Sequence, residues 1–259
     1  MSEDAFQNLT RDAFLGGRIH LWQPRRGYRA GIDPVLLAAS VSAQAGQSVL
    51  DLGCGAGAAI ICLSARVPGL VLTGVELQPD YGELANRNAR ENNVDMRVIC
   101  ADLTQLPAAL RHDQFDHVIA NPPYFRQGAH SPAADSGKRL ALGEQTPLDA
   151  WVDVAARRLV HKGYLHVIQR VERLPDLIAA CRGRLGSIEV LPFSAREGRA
   201  PELAILQARK GGRADFVLHA PVVLHSGVRH ETDSDSYTPE IVDVLRNGKA
   251  LNRTGPNSR

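Results

Sequence analysis

Cysteine is scarce in this chain. Only four cysteines occur among 259 residues, at positions 54, 62, 100 and 181, and no two form a Cys-x-x-Cys pair. Each stands in an apolar or glycine-rich stretch, which predicts buried thiols. We therefore expect neither a disulfide framework nor a zinc site, and no other metal.

Long apolar runs are missing as well. No stretch approaches the ~18 residues that a membrane-spanning helix needs, and the N-terminus is acidic, without the basic and then apolar order of a signal peptide. The sequence predicts a cytoplasmic protein without a membrane partner. The net charge is only +2, so charge alone does not indicate a nucleic-acid partner.

What the chain does have is an alternation of strand and helix patterns, typical of an α/β fold. Strands are predicted at 48–52, 70–76, 96–100, 115–120, 163–169, 187–193 and 202–208, the last antiparallel, with a weak edge at 214–225. Helices are predicted at 58–67, 79–92, 147–159, 171–182 and 239–246. A further helix begins with Asp33 as N-cap and Pro34 behind it, and should reach about Gln44.

The domain organisation predicted from these patterns is one domain with an addition at each end. Residues 1–30 form an N-terminal arm, residues 31–210 the main domain and residues 211–259 a C-terminal extension. The arm holds five arginines with Trp22 and Tyr28, which suits either a solvated segment packed through its tryptophan or nucleic-acid binding. Residues 125–146 lack periodicity, as in a lid or a disordered connection.

Chemistry-bearing residues follow four of the predicted parallel strands. Asp51 begins a Gly-x-Gly-x-Gly turn before a helix, and glycine there permits positive φ and a close backbone approach to a ligand. Glu76 ends the next strand, where a carboxylate can bind both ribose hydroxyls, and Asp102 follows the third. This many acids suit S-adenosylmethionine (SAM), which carries positive charge and no phosphate. A P-loop is absent, and NAD is disfavoured but not excluded.

The fourth of these strands ends in Asn121-Pro122-Pro123-Tyr124. The two prolines stiffen the turn, and the first keeps Asn121 out of the helical region. The Asn121 amide oxygen and the Pro122 carbonyl could each accept one hydrogen of a planar amine, which aims its lone pair at an incoming methyl group. Tyr124 could stack on the base. An ordinary strand-terminating turn is the alternative.

Together these motifs resemble the class I SAM-dependent methyltransferases that modify amino nitrogens. Residues 29–33 (Arg-Ala-Gly-Ile-Asp), 121–128 (Asn-Pro-Pro-Tyr-Phe-Arg-Gln-Gly) and 237–240 (Tyr-Thr-Pro-Glu) narrow the resemblance to the bacterial tRNA1(Val) adenine-N6-methyltransferase family, over roughly residues 10–250. That family methylates the adenine just 3′ of the anticodon. The resemblance implies a Rossmann-like fold with a seven-stranded mixed sheet and helices on both faces, SAM as cofactor and tRNA as substrate.

The resemblance also implies roles for individual residues. The target amine would be held by Asn121, Pro122, Pro123 and Tyr124. The cofactor would be bound by Asp33, Asp51, Gly53, Cys54, Gly55, Gly57, Glu76, Leu77, Asp102, Leu103 and Asn121.

Three other functions remain open at this point. A protein glutamine N5-methyltransferase uses the same Asn-Pro-Pro-Tyr turn, but carries a sizeable helical domain before the cofactor domain. A DNA adenine methyltransferase would need a target-recognition domain, and none is apparent. A non-catalytic RNA-binding protein on the same fold is the third possibility.

Overall fold

The computed structural model describes residues 8–124, 146–227 and 236–251. Its strands are β1 (Leu9–Phe14), β2 (Ile19–Pro24), β3 (Ser48–Leu52), β4 (Val71–Glu76), β5 (Met96–Cys100), β6 (Phe115–Ala120), β7 (Leu159–Arg170), β8 (Gly186–Ser194), β9 (Leu203–Arg209), β10 (Val217–Leu218) and β11 (Val222–Val223). Its α-helices are α1 (Asp33–Ser40), α2 (Ala58–Arg66), α3 (Pro79–Glu91), α4 (Ala108–Arg111), α5 (Leu148–Arg158), α6 (Leu174–Cys181) and α7 (Pro239–Asn247).

The central sheet has the order β10-β8-β9-β7-β6-β3-β4-β5, with β11 also paired to β8. Strands β3 to β7 pair in parallel, and β9 runs antiparallel to both of its neighbours. The seven long strands confirm the predicted mixed sheet, and the two-residue strands β10 and β11 extend its edge within 214–225. From β3 the strand order continues to one side, through β4 and β5, and from β6 it continues to the other side, through β7. A ligand crevice is expected where the order reverses, at the carboxyl ends of β3 and β6.

The core lies on both faces of this sheet. One apolar cluster includes Leu36 and Ile60 from α1 and α2, and the other includes Leu110 and Val152 from α4 and α5. The central strands are apolar on both sides because helices cover both faces, as parallel sheets require. None of the described helices combines the length and apolarity that crossing a bilayer requires.

The first helix departs from its predicted bounds. Asp33 is its first helical residue, not its N-cap, and makes no capping hydrogen bond; the helix ends at Ser40, not near Gln44. The Ser40 hydroxyl donates to the Leu37 carbonyl (2.7 Å), and the Ala39 carbonyl accepts from the Leu251 N–H (2.9 Å). The helix ends at Ser40 because Val41 is extended, and a tertiary partner, the Leu251 N–H, satisfies the Ala39 carbonyl there.

Other boundaries shift by less. A three-residue 3-10 turn at Val171–Arg173 precedes α6, where a single helix was predicted. Cys54, Cys62 and Cys181 are buried as predicted, whereas Cys100 is exposed because it ends the outermost strand, β5. The predicted lid at 125–146 lies outside the described residues, apart from Thr146.

Residues 9–24 fold as an antiparallel hairpin, which the sequence did not predict. Strands β1 and β2 pair from Leu9 opposite Pro24 to Phe14 opposite Ile19. The hairpin packs on α3, where the Arg87 guanidinium lies 4.1 Å from the centre of the Trp22 ring. Trp22 thus packs on the body of the protein, which was one of the two alternatives for this segment, although the segment is a hairpin and not a solvated arm.

Asn88 of α3 and Asn92, which caps the C-terminus of that helix, bind the outer edge of β2. Asn88 accepts from the Trp22 N–H (2.7 Å) and donates to the Trp22 carbonyl (3.0 Å), and Asn92 does the same with His20 (2.9 and 2.7 Å). Residues four apart on a helix are separated by about 6 Å along its axis, close to the roughly 6.7 Å between alternate strand residues. Each side-chain amide thus replaces a neighbouring strand's main chain.

Candidate active site

The predicted site residues gather at one edge of the sheet. Strands β3, β4, β5 and β6 are parallel, so their carboxyl ends lie side by side. The glycine turn follows β3, Glu76 ends β4, Asp102 follows β5 and Asn121 follows β6. This arrangement is what the sequence predicted.

The glycine turn after β3 has a left-handed backbone. Gly53, Gly55 and Gly57 have φ values of +65°, +54° and +85°, which residues with a Cβ rarely adopt. An ideal Cβ on Gly53 would also lie 2.6 Å from Cη2 of Trp151. Position 53 therefore requires glycine for two reasons: the positive φ, and the Trp151 indole that packs against the backbone there.

Glu76 holds this turn against the end of β4. Its Oε2 accepts from the Gly55 N–H (2.8 Å) and its Oε1 from the Gln78 N–H (2.9 Å), and the residue is only 6% exposed. Burial raises the pKa of this carboxyl group, while hydrogen bonds from the Gln78, Gly55 and Leu77 amides oppose the shift. The contact of Glu76 with a ribose stays a prediction, and so does the cofactor contact of Leu77.

Asp51 is the buried acid of the site. It lies inside β3 and is 3% exposed, and its Oδ2 has no hydrogen-bond partner among the described residues. Burial, and secondarily the nearby Glu76 charge, raise the pKa of Asp51 well above its usual range. A carboxylate oxygen left without a partner suits a positively charged ligand, which would both pair with it and favour its ionised form.

A cleft opens beside Asp51. It is lined by the glycine turn, by Asn121, by the start of α2 and by the N-terminal segment, namely by Gln23, Tyr28, Ala30, Pro34, Asp51, Gly53, Cys54, Ala56, Ala58, Ala59 and Asn121. Because Oδ2 of the buried Asp51 has no hydrogen-bond partner among the described residues, the cleft fits a cationic cofactor such as SAM.

Several predicted cofactor residues do not line this cleft. Asp102 caps the turn that follows β5, where its Oδ1 accepts from the N–H and the hydroxyl of Thr104 (2.8 and 2.7 Å). Leu103 beside it is buried. Asp33 lies instead at the Asn-Pro-Pro-Tyr turn, where it accepts the hydroxyl hydrogen of Tyr124. Burial and the neighbouring Asp33 raise the Tyr124 pKa.

The Asn121 side chain is oriented by a residue that the sequence did not assign to the site. Its Nδ2 donates to the hydroxyl of Tyr28 (3.1 Å), which leaves Oδ1 available as an acceptor. The carbonyls of Pro122 and Pro123 accept from the buried Gln169 amide (3.2 and 3.4 Å). A carbonyl oxygen has two lone pairs, so Pro122 keeps one for a substrate hydrogen.

Tyr28, Gln169 and Trp151 are the site residues that sequence reasoning missed. Each reaches the site from an element outside the motifs: the segment before α1, the end of β7, and α5. Only Tyr28 gave a signal, as an aromatic residue four positions before the Ile32-Asp33 pair, and nothing in its spacing indicated Asn121 as its partner.

Comparison with known proteins agrees with this geometry. Residues 32–185 match the family model described as the methyltransferase small domain. A Porphyromonas gingivalis protein named tRNA1(Val) (adenine(37)-N6)-methyltransferase is 32% identical over 244 residues, covering 90% of this chain and 93% of its own.

Two solved structures are also similar. Protein Atu636 of Agrobacterium tumefaciens, titled a predicted O-methyltransferase, has a TM-score of 0.67 and 30% identity, over 85% of this chain and 98% of its own. The 16S rRNA N2 G1207 methyltransferase of T. thermophilus, in complex with AdoMet and guanosine, has a TM-score of 0.55 and 21% identity over 78% and 50%. The second likeness shows the fold alone. On its sequence, its sheet and its cleft, this chain belongs to the methyltransferase small domain family and is a class I, SAM-dependent N-methyltransferase.

Proposed function

We propose that this enzyme methylates the N6 amino group of an adenine in the anticodon loop of a valine tRNA. The observation that carries the proposal is the Asn121 amide, which lines the cleft and whose nitrogen is held by Tyr28, so that its oxygen is left to accept a substrate hydrogen. The name of the P. gingivalis relative supports tRNA as the substrate and adenine as the base.

The roles of the residues follow from the acceptor geometry. When bound beside Asp51, SAM supplies the methyl group. Asn121 Oδ1 and the Pro122 carbonyl accept the two hydrogens of the N6 amine, which turns the nitrogen lone pair out of conjugation and toward the cleft. Both acceptors stabilise the positive charge that develops on the nitrogen, and the charge is lost when one of its two protons leaves to solvent. Pro123 keeps the turn rigid through its fixed φ, and the Tyr124 ring stacks on the adenine.

The remaining predicted residues act on the cofactor in this proposal. Glu76 binds the ribose hydroxyls, while Asp102 and the Leu103 N–H bind the adenine moiety of SAM. The turn through Gly53, Cys54, Gly55 and Gly57 lets the backbone approach the methionine part, and Leu77 packs beside the ribose. Asp33 acts indirectly, since its contact is with Tyr124.

The test uses purified enzyme, methyl-labelled SAM and an unmodified valine tRNA transcript. We expect label in N6-methyladenosine after nuclease digestion, and none with a transcript in which the target adenine is replaced by guanine. Asn121→Ala should lower kcat about 10²- to 10³-fold while SAM still binds, because an acceptor used mainly in the transition state is lost.

Two other outcomes would replace the proposal. Label on a release factor and none on RNA would make the enzyme a glutamine methyltransferase, since a side-chain amide fits the same two acceptors. Label on a ribose or protein hydroxyl would agree instead with the name given to the A. tumefaciens protein. Binding of RNA without transfer from SAM would indicate a non-catalytic protein.

A further inference from the structure

The N-terminal hairpin leads into a closed loop at the mouth of the cleft. The loop is residues 24–29, and its base is formed by Gln23 and Ala30, both of which line the cleft. The Ala30 N–H donates to the Gln23 side-chain oxygen (2.7 Å), and the Arg29 guanidinium donates to the Pro24 carbonyl (3.0 Å). These two contacts fix the position of the loop beside Tyr28.

The arginines of the hairpin differ in what they contact. Arg11 pairs with Glu91 (2.6 Å), Arg18 donates to the carbonyls of Asn247 and Ala65, and Arg29 pairs with Asp12 (2.7 Å). These three arginines serve the fold. Arg25 and Arg26 are exposed, lie in the loop just defined, and take no part in the ion pairs of the described residues.

The loop conformation keeps these two cations close to the site. Gly27 has a φ of +105°, and an ideal Cβ there would lie 3.2 Å from the Tyr81 hydroxyl, which itself donates to the Tyr28 carbonyl (3.0 Å). Arg26 is two residues before Tyr28, so their Cα atoms are at most roughly 7 Å apart. The Tyr28 hydroxyl in turn lies 3.1 Å from the Asn121 amide nitrogen.

Resting on the proposed function, we propose that Arg25 and Arg26 bind the phosphates of the RNA strand that flank the target nucleotide. An adenine whose amine reaches Asn121 must leave its stack, which brings its own backbone to the rim of the cleft. Guanidinium groups bind phosphate oxygens through paired hydrogen bonds. Such contacts position a strand without reading its sequence.

The chain offers a control pair with the same change in charge. Arg111 ends α4 ahead of β6, and Arg213 follows β9, so both lie near the opposite edge of the sheet, and both are exposed. The double variants Arg25→Ala/Arg26→Ala and Arg111→Ala/Arg213→Ala each remove two positive charges. They separate a local contact from the general attraction between a cation and RNA.

The experiment measures binding of the unmodified tRNA transcript by fluorescence anisotropy over a range of salt concentrations, and SAM binding by calorimetry. We expect the first variant to weaken tRNA binding about tenfold and to reduce the slope of log K against log salt by about 1.4, since each contact to single-stranded RNA contributes about 0.7. SAM affinity and the tRNA affinity of the control variant should stay within twofold of the wild type.

Several results would overturn the inference: equal tRNA binding by wild type and first variant, an equal loss in the control variant, a parallel loss of SAM affinity in the first variant, or no tRNA binding by the wild type. The proposed function fails in a different way. A wild-type enzyme that binds the transcript with the predicted dependence on Arg25 and Arg26, yet methylates no adenine in it, would contradict the reaction and leave the phosphate contacts established.

Discussion

The Tyr28 hydroxyl accepts a hydrogen bond from the Asn121 side-chain nitrogen (3.1 Å), and this contact leaves the oxygen as the end of the amide that can accept a further hydrogen bond. Asn121 has one donor end and one acceptor end. With the nitrogen bound to Tyr28, the oxygen is the end left for the substrate amine. In the proposed reaction Tyr28 is therefore a positioning residue.

Replacing Tyr28 by phenylalanine should keep the ring and lose this orientation. We expect kcat with tRNA to fall about three- to tenfold, the range for one hydrogen bond, with the dissociation constant for SAM unchanged. Steady-state kinetics and calorimetry measure the two quantities. Tyr81→Phe is the control, because it removes the hydrogen bond to the Tyr28 carbonyl and leaves the Asn121 contact in place. Equal losses in both variants would assign the effect to the loop and not to the amide.

Gly53→Ala should destabilise the fold more than alanine at an otherwise similar glycine. Gly183 also has positive φ, +76°, but an ideal Cβ there meets no atom within 4 Å. We expect Gly183→Ala to cost about 1–2 kcal/mol from the dihedral angle alone. Gly53→Ala should cost about 2–5 kcal/mol because the Trp151 ring must also move. Urea denaturation compares them, and equal costs would show that the contact with Trp151 can relax.

The buried acid Asp51 should make stability fall as pH rises. Its folded-state pKa is raised, so between the unfolded value near 4 and the higher folded value the native state holds more protons than the unfolded state. Asp51→Asn lacks this titration. Without SAM, the free energy of unfolding of the variant relative to wild type should therefore grow as pH increases above 4.

An acid with the opposite shift provides the control for this pH dependence. The pKa of Asp243 is lowered by hydrogen bonds from Lys249 and Asn247, so its contribution is present at neutral pH and is lost as pH falls below about 4. Asp243→Asn should be less stable than wild type at pH 7, with the difference shrinking in acid. Thermal unfolding from pH 3 to 8 measures both variants; a flat difference for Asp51→Asn would contradict its raised pKa.

Alanine variants of Asn88 and Asn92 test the contacts of these two side-chain amides with the hairpin. Asn88 is fully buried and also donates to the Ala56 carbonyl (2.9 Å), whereas Asn92 is partly exposed. Asn88→Ala should cost about 3 kcal/mol, because main-chain groups of Trp22 and Ala56 are left without partners away from water. Asn92→Ala should cost about 1 kcal/mol, since water can replace the amide. Equal values in urea denaturation would show that water also reaches the Asn88 position.

The sequence predicted the central sheet and the edge at which Asp51, Glu76 and Asn121 meet, because both follow from local patterns. Apolar runs define the strands, and the ends of parallel strands share an edge whatever lies between them. The hairpin was missed because its burial depends on α3, more than sixty residues away in the chain.

The site residues that the sequence did not predict were missed for the same reason, because their contacts join distant parts of the chain. The contact of Tyr28 with Asn121 spans 93 residues, and the contact of Gln169 with Pro122 spans 47. Neither pair has a spacing that a single sequence reveals. The early end of α1 also depends on a contact between distant residues, since the Ala39 carbonyl accepts from the Leu251 N–H.

The side-chain amides of Asn88 and Asn92 also affect association between separate molecules of this protein. A two-stranded ribbon normally leaves a row of main-chain donors and acceptors that a second molecule can join by adding a strand. At His20 and Trp22 that row is already occupied by groups from the same chain. The ribbon is thereby protected on this side from intermolecular β-pairing and from exchange of hairpins between molecules.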